Sequence, residues 1–460
     1  MSSPATFDVS QAIEKQKLGG FAAGLIVTSW LVTFFDGFDM NVISFTSKRL
    51  EASFHIGPQL LGHVFSIGIF GALLGGFLFG WIGDRLGRRP SIILATGVFS
   101  VLTVLLAFAR SYDQLLALRF LNGLALGGAI PLIWALNVEF VPRRFRATAV
   151  TLVMLGYGFG VAAAGPIARV LLHHYDWPAV FLFGGALSAL ATLLLLIALP
   201  ESLRFLLVTS NRPDTVARTL RRMGVAPGPQ PGDQLILTDE ASHPAKPFRI
   251  PMLFQERLRW LTPLLWIGYI ASSMSTFFLT FWGPLVLEGV GFSPDQAAWV
   301  SSMNSLCGAA GGLAIMRFTD VKGSISIAIM PILAVPMLLA AGLAHMSLSV
   351  FFVLSIAISI FLGGSHYAIT SIVGLFYPSS IRANGAGWAS SMAKVGSVLG
   401  PLIGGYVLST ALPVKNTYAL LAICPAIYGA CVLTIGLIER RDRVHAAQPQ
   451  ASPQPAAAEA

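Results

Sequence analysis

Charge is scarce in this chain. Of 460 residues only 11% are Asp, Glu, Lys or Arg, while 55% are hydrophobic and the mean hydropathy is +0.73. Soluble globular domains carry about a quarter charged residues, so that class is excluded. Cysteine is scarcer still. Cys307, Cys424 and Cys431 all fall within apolar runs, which argues against a disulfide framework and against a metal site. His173-His174 beside Asp176 have no further ligand spacing and read as loop. The chain shows no paired acid and nucleophile, no haem ligand pair and no phosphate-cradling glycine loop, which argues against an enzyme. The first apolar run is too long for a signal peptide and no cleavage signature follows it, so it reads as a span.

Long apolar runs are abundant. Twelve windows are each long enough to cross about 30 Å of hydrocarbon. They cover residues 20–46, 59–81, 90–110, 114–139, 147–171, 177–199, 259–287, 295–317, 324–345, 347–376, 382–410 and 416–438. The expected class is an all-α integral membrane protein with twelve transmembrane helices. The net charge of +9 invites a nucleic-acid partner, but its distribution argues for a lipid bilayer. Lys and Arg gather in alternate loops, at Arg85, Arg88 and Arg89, at Arg143, Arg144 and Arg146, in the long central loop, and at Arg440, Arg441 and Arg443. The other side holds Lys48, Arg49, Arg110 and Lys415, with Arg169 near the end of span five. This positive-inside bias places both termini in the cytoplasm.

Two carboxylates stand inside the first span, in Phe34-Phe35-Asp36-Gly37-Phe38-Asp39-Met40. A centrally placed Asp costs about 2.5 to 3.5 kcal/mol to insert. Asp36 and Asp39 share one helix face, and Gly37 between them permits close approach of another backbone. The pair is expected to face a water-filled cavity or a buried cation; two satisfied structural acids are the plainer alternative.

The chain divides in two. Residues 1–18 form a polar lead, 19–200 a six-span half, 201–258 a central loop with a short basic helix over 212–223 lying on the membrane surface, 259–439 a second six-span half, and 440–460 a disordered tail. An internal repeat supports this division. Asp320, in Thr319-Asp320-Val321-Lys322, lies 236 residues beyond Asp84, in Gly83-Asp84-Arg85-Leu86-Gly87-Arg88-Arg89. Arg382 lies 236 residues beyond Arg146, and Gly400-Pro401 lies 235 beyond Gly165-Pro166. Two related halves are the plan of a carrier that rocks one half against the other around a midplane site. Residues that recur belong to gating or packing, namely Asp84, Arg85, Arg88, Arg89, Arg146, Asp320 and Arg382. Residues that do not recur should give selectivity. The equivalents of Asp36, Asp39 and Arg119 are Ser272, Ser275 and Ser355, and the equivalent of Lys394 is Gly158.

This plan, the Gly83–Arg89 loop and the segment Pro200-Glu201-Ser202-Leu203-Arg204-Phe205 resemble the major facilitator superfamily. Three motifs narrow the resemblance to its aromatic acid/proton symporters, such as carriers of 4-hydroxybenzoate, benzoate and gallate. They are Asp36-Gly37-Phe38-Asp39, then Arg119-Phe120-Leu121-Asn122-Gly123 with Glu139, and Tyr377-Pro378 to Arg382 with Gly387-Trp388. Two departures stand out. The family usually has Arg within a Gly-Arg pair where this chain has Ala393-Lys394, and the basic residues after span eight shrink to Lys322. A bidentate fork thereby becomes a point charge.

The resemblance implies proton-coupled import of a small aromatic carboxylate, with the proton as coupling ion, no other cofactor, monomeric action and a bacterial inner-membrane location. Such import needs a cation for the carboxylate, aromatic walls for the ring and a group that takes the proton. Lys394, 12 residues past Arg382, lies about 18 Å into its span, near the midplane, and is the expected carboxylate anchor. Arg119 is expected to pair with Asp36 or Asp39 as the coupling switch. Phe38, Trp388, His366 and Tyr367 are the chosen wall and polar contacts, from a longer set that includes Trp134, Tyr157, Phe278 and Trp282. Glu139 is expected to pair with Arg85, Arg143 or Arg144, and Asp84 with Arg146, at the cytoplasmic gate. The alternatives are a carrier of another organic anion such as muconate or a dicarboxylate, and an efflux antiporter. A sugar carrier is disfavoured by the lack of Asn and Gln in span seven, and a receptor by the shortness of the central loop.

Overall fold

Backbone polar groups that leave water must pair among themselves, and within one segment only a helix achieves this. The apolar runs accordingly fold as helices in the computed structural model, which describes residues 6–225, 228–229, 233–237, 249–255, 257–322, 325–377, 381–410 and 412–447. The helices are α1 (Val9–Glu14), α2 (Gly20–Phe54), α3 (Pro58–Leu86), α4 (Arg88–Leu106), α5 (Tyr112–Glu139), α6 (Arg146–His174), α7 (Trp177–Ala198) and α8 (Pro213–Arg222). They continue with α9 (Leu258–Val290), α10 (Pro294–Lys322), α11 (Ile325–Leu343), α12 (Leu348–Phe376), α13 (Arg382–Leu408), α14 (Asn416–Leu421) and α15 (Ile423–Ala447). Among the described residues ten helical stretches are long and apolar enough to cross a membrane, and α14 with α15 forms the last. Helices α10 and α11 stand where the sequence places spans eight and nine.

Small residues set how closely the helices cross, as expected where lipid removes the hydrophobic incentive between them. In the first half Gly160 of α6 lies against Phe34 of α2, Gly75 of α3 against Leu124 of α5, and Gly127 of α5 against Ala72 of α3. In the second half Gly396 of α13 lies against Ile270 of α9, Gly311 of α10 against Ile360 of α12, and Gly363 of α12 against Gly308 of α10. Gly160 and Gly396, Gly75 and Gly311, and Gly127 and Gly363 are each 236 residues apart. The internal repeat is therefore a repeat of helix crossings.

The two halves meet unevenly. Call the end that carries α1 and α8 the terminal face. At the other end, the opposite face, one apolar cluster joins both halves, with Phe65 of α3 at 5.0 Å from Phe281 and 5.1 Å from Trp282 of α9, ring centre to ring centre. There Ser66 Oγ donates to Val398 O at 2.8 Å, and Lys48 pairs with Glu288 and Arg169 with Asp295 across the halves. Toward the terminal face the core separates into one cluster from the first half, around Ile133 and Leu136, and one from the second, around Leu265 and Tyr428.

Three segments differ from expectation. The polar lead is built into the protein: β1 (Thr6–Asp8) pairs in parallel with β2 (Gln234–Ile236) of the central loop, and Asp8 caps α1 by accepting from Ser10 N at 2.9 Å. Helix α8 spends its apolar face on protein: Val216 and Leu220 are fully buried with Val9, Ile13, Phe140 and Leu206. An apolar stripe on a short helix is as readily spent on protein as on lipid. Helix α15 runs to Ala447, past the expected start of the tail, because Glu, Arg and Ala favour helix; residues 448–460 lie outside the described residues.

A Cβ at Gly405 would stand 2.7 Å from Pro58 O and 3.2 Å from Gly62 Cα, across the joint between α13 and α3. Gly405→Leu should cost on the order of 1–3 kcal/mol through overpacking and lower the thermal unfolding midpoint in detergent. An unchanged midpoint would contradict the tight opposite-face joint.

Candidate functional site

Asp39 sits midway along α2 with 2% exposure and faces α5, where Arg119 is 1% exposed. Arg119 donates from its terminal nitrogen to Asp39 Oδ2 at 3.1 Å. Room for the guanidinium comes from Gly68 of α3, where a Cβ would stand 3.5 Å from it. The other carboxylate oxygen faces Thr103 Oγ1 of α4 at 3.3 Å, and the same hydroxyl is 2.9 Å from Phe99 O, so its one proton is shared between two acceptors. Asn122 Nδ2 donates to Thr103 Oγ1 at 2.8 Å. Of the two acids open to Arg119, the structure chooses Asp39. Thr103 and Asn122 complete the arrangement; Asn122 stands in the Arg119–Gly123 motif, while Thr103 carries no signal beyond a polar residue in an apolar run.

Asp36 is 4% exposed and has no hydrogen bond or ion pair among the described residues. The charges that act on it are Asp39 and Lys394. Lys394 belongs to the second half, yet its Nζ lies 3.6 Å from where a Cβ on Gly76 of α3 would stand, and Gly127 O of α5 lies 3.5 Å from the same point. The cation thus reaches across into the first half, into a space opened by Gly76. Pro131 cannot donate to Gly127 O, so that carbonyl lacks its helical partner beside the ammonium. The phenols of Tyr157 on α6 and Tyr367 on α12 lie within electrostatic reach of each other, and Tyr157 also of Asp36. Tyr157, one of the longer set of span aromatics, stands on the first-half wall.

In the second half the equivalent positions carry no charge. Ser272 Oγ, at the position equivalent to Asp36, lies 3.1 Å from His366 Nδ1. Ser275 donates to Ser272 O at 2.9 Å and Ser355 to Phe352 O at 2.8 Å, both within their own helices.

Two chosen wall residues are turned elsewhere. Phe38 is 2% exposed and packs on Phe183 of α7. It follows Asp36 by two residues, about 200° around the helix, so it cannot share that face. Trp388 stacks on Trp266 of α9 with ring centres 5.9 Å apart, half-buried against the second-half core; its six-residue offset from Lys394 places it about 240° away. Tyr367 is 45% exposed and stays on the candidate wall beside Tyr157.

At the terminal face Glu139 pairs with Arg88 rather than with Arg85, Arg143 or Arg144. Ser202 Oγ donates to Glu139 at 2.6 Å, and Glu201 accepts from the backbone N–H groups of Arg88 at 2.9 Å and Arg89 at 3.1 Å. The Pro200–Phe205 segment thereby ties the end of α7 to the starts of α4 and α5's last turn. Arg89 donates to Leu196 O at 2.6 Å, Arg85 lies over the Trp81 ring at 4.0 Å, and Asp84 is exposed with no ion pair to Arg146. The side chains of Asp320 and Arg382 lie outside the described residues.

Removing one partner of a buried pair leaves an uncompensated charge and costs about 3–5 kcal/mol. Arg119→Gln should therefore lower the thermal midpoint strongly, and adding Asp39→Asn to it should recover most of the loss. A double variant no more stable than Arg119→Gln would show that the two residues are not coupled.

The family model of the Major Facilitator Superfamily matches residues 29–293 and 265–459. A gallate transporter of Pseudomonas putida is 30% identical over 430 residues, covering 93% of this chain and 95% of that protein. The 4-hydroxybenzoate transporter PcaK of Pseudomonas putida is 29% identical over 441 residues, covering 95% of this chain and 97% of its own length. Among solved structures, a bacterial homologue of the human lysosomal transporter Spinster, inward-facing and unoccupied, matches with a TM-score of 0.63 and 16% identity over 91% of this chain and 96% of that one, a likeness of fold alone. A helical bundle of two repeated halves, a family match across both of them and relatives of nearly equal length agree: this multi-pass membrane protein belongs to the Major Facilitator Superfamily, in its aromatic-acid transporter family.

Proposed function

We propose that the protein is a secondary active importer of a small aromatic carboxylate, a hydroxybenzoate-type acid, driven by protons through alternating access. The observation that carries this reading is the charge arrangement at mid-span. One acid, Asp39, is held by a buried Arg119; the other, Asp36, faces a lysine that the second half extends across the gap. A proton on Asp36 would remove the negative charge that acts on Lys394 and leave the ammonium to the substrate carboxylate as its counter-ion. Lys394 and Asp36 sit on different halves, so exchanging the partner of one changes the force between the halves. Protonation of Asp39 would likewise cancel its pair with Arg119. Binding energy becomes reorientation only if the two arrangements hold charge differently, and these pairs meet that requirement.

The positive-inside bias favours both termini in the cytoplasm of a bacterial inner membrane. The terminal face is then the cytoplasmic side, and the separated cores there, with the joined opposite face, correspond to an inward-facing arrangement. The superfamily's habit favours a monomer. Arg119 is engaged by Asp39, which favours a monocarboxylate over a dicarboxylate such as muconate.

The test is uptake of 4-hydroxybenzoate, benzoate and gallate into proteoliposomes under an imposed pH gradient. One acid should accumulate and carry protons in with it, faster as the outside pH falls, because the proton is a co-substrate. Asp39→Asn and Asp36→Asn should each reduce accumulation at least about tenfold. Accumulation that ignores the gradient in the wild type would refute proton coupling, and counterflow only from inside to outside would favour an efflux antiporter.

A further inference from the structure

Asp39 keeps one carboxylate oxygen out of its pair with Arg119, and a buried hydroxyl stands beside it. Thr103 Oγ1 of α4 lies 3.3 Å from Asp39 Oδ1 and 2.9 Å from Phe99 O, while Arg119 engages Oδ2. Asn122 of α5 donates from Nδ2 to the same hydroxyl at 2.8 Å, and its amide nitrogen is also 3.5 Å from Phe99 O. Asp39, Thr103, Arg119 and Asn122 are all buried, so these groups have one another in place of water.

A threonine hydroxyl has one proton to give and two lone pairs to receive with. The amide nitrogen of Asn122 can only donate, so it holds one lone pair, and the hydroxyl proton must point at Asp39 or at Phe99 O. Which acceptor it serves depends on the charge of Asp39. A hydrogen bond to an ionised acceptor is about twice as strong as one to a neutral acceptor, so a charged Asp39 draws the proton. A protonated Asp39 no longer does, and the hydroxyl returns to Phe99 O, the bond to residue i−4 that threonine makes within a helix. Rotation about Cβ–Oγ is enough, and no bond to hydrogen breaks. Asn122 lies near enough to Phe99 O to serve that carbonyl while the hydroxyl is turned away. The charged groups that act on Asp39 are Arg119 of α5 and, on its own helix, Asp36, which is itself near Lys394 of α13 and Tyr157 of α6. Helix α7, and α4 beyond Arg89, carry no ionisable side chain.

We propose that Thr103 is a positioning residue for Asp39: its hydroxyl donates to the carboxylate while Asp39 is charged and returns to Phe99 O once Asp39 holds a proton, with Asn122 fixing the direction in which it can donate. Thr103 thereby favours the charged form and sets how acidic the medium must be before Asp39 accepts a proton. It also ties that event to a backbone carbonyl of α4. The inference rests on the reading of Asp39 as a proton carrier and adds the group that tunes it.

Infrared titration of the purified protein follows Asp39 directly, through the carboxyl band that is absent from Asp39→Asn. Thr103→Val keeps the shape and removes the donor. It should raise the midpoint of that band by about one pH unit, because losing a donor to the charged form favours the protonated form. Thr103→Ser keeps the hydroxyl and should restore the wild-type midpoint. Asn122→Leu should raise the midpoint by less, and should add nothing in the Thr103→Val background, since Asn122 acts through that hydroxyl. In proteoliposomes Thr103→Val should hold its uptake to a correspondingly higher outside pH. Should Thr103→Val fail to fold, Asn122→Leu and Thr103→Ser carry the test on the same band. An unmoved midpoint in Thr103→Val, an equal shift in Thr103→Val and Thr103→Ser, or a wild type in which Asp39 gives no titrating band would each overturn the positioning role. A midpoint that moves as expected in a protein that accumulates no aromatic acid would uphold that role and sink the transport reading.

Discussion

The ion pair between Asp39 and Arg119, almost wholly out of solvent in a bundle of apolar helices, is the constraint on which the rest of the site depends. Two charges at such a place are tolerated only if each has its partner and the leftover lone pairs and N–H groups are met. Thr103 and Asn122 meet part of that demand from α4 and α5, and Gly68 on α3 leaves the volume the guanidinium fills. Four helices of the first half are thereby committed to one pair. Because Asp39 takes Arg119, Asp36 is left without an ion pair among the described residues, and the cation that acts on it is Lys394 of the other half.

The glycine crossings and the charges distribute differently. The crossings repeat at the same offset in both halves, so each half is a similarly built rigid bundle. The charges do not repeat: Ser272, Ser275 and Ser355 stand where the first half has Asp36, Asp39 and Arg119. Packing is thus symmetric while electrostatics is one-sided, and Lys394 is the second half's contribution across the gap. The opposite-face joint, with Phe65 among Phe281 and Trp282, is apolar and close; the terminal-face cores are separate.

The terminal face is more than a set of loops. Strand β1 and helix α1 are fastened to the central connection through β2 and the apolar face of α8. Residues some 228 positions apart in sequence, Thr6 and Gln234, are backbone partners there. The polar appearance of these segments hid this, because a three-residue strand and a six-residue helix bury only a few apolar side chains each.

The order of the apolar helices, the repeat and the location of the acids follow from sequence, since hydrocarbon thickness and the cost of buried charge act on local composition. Helical spacing also decides which residues share a face, and it already separates Phe38 from Asp36 and Trp388 from Lys394. Pairing is decided only in three dimensions. Arg119 goes to Asp39 and not Asp36, Glu139 to Arg88 and not to its three nearer-seeming candidates, and Lys394 to the space above Gly76. Each of those outcomes depends on the depth and rotation at which two helices cross. Close glycine contacts distant in sequence set that geometry, and no local pattern encodes it.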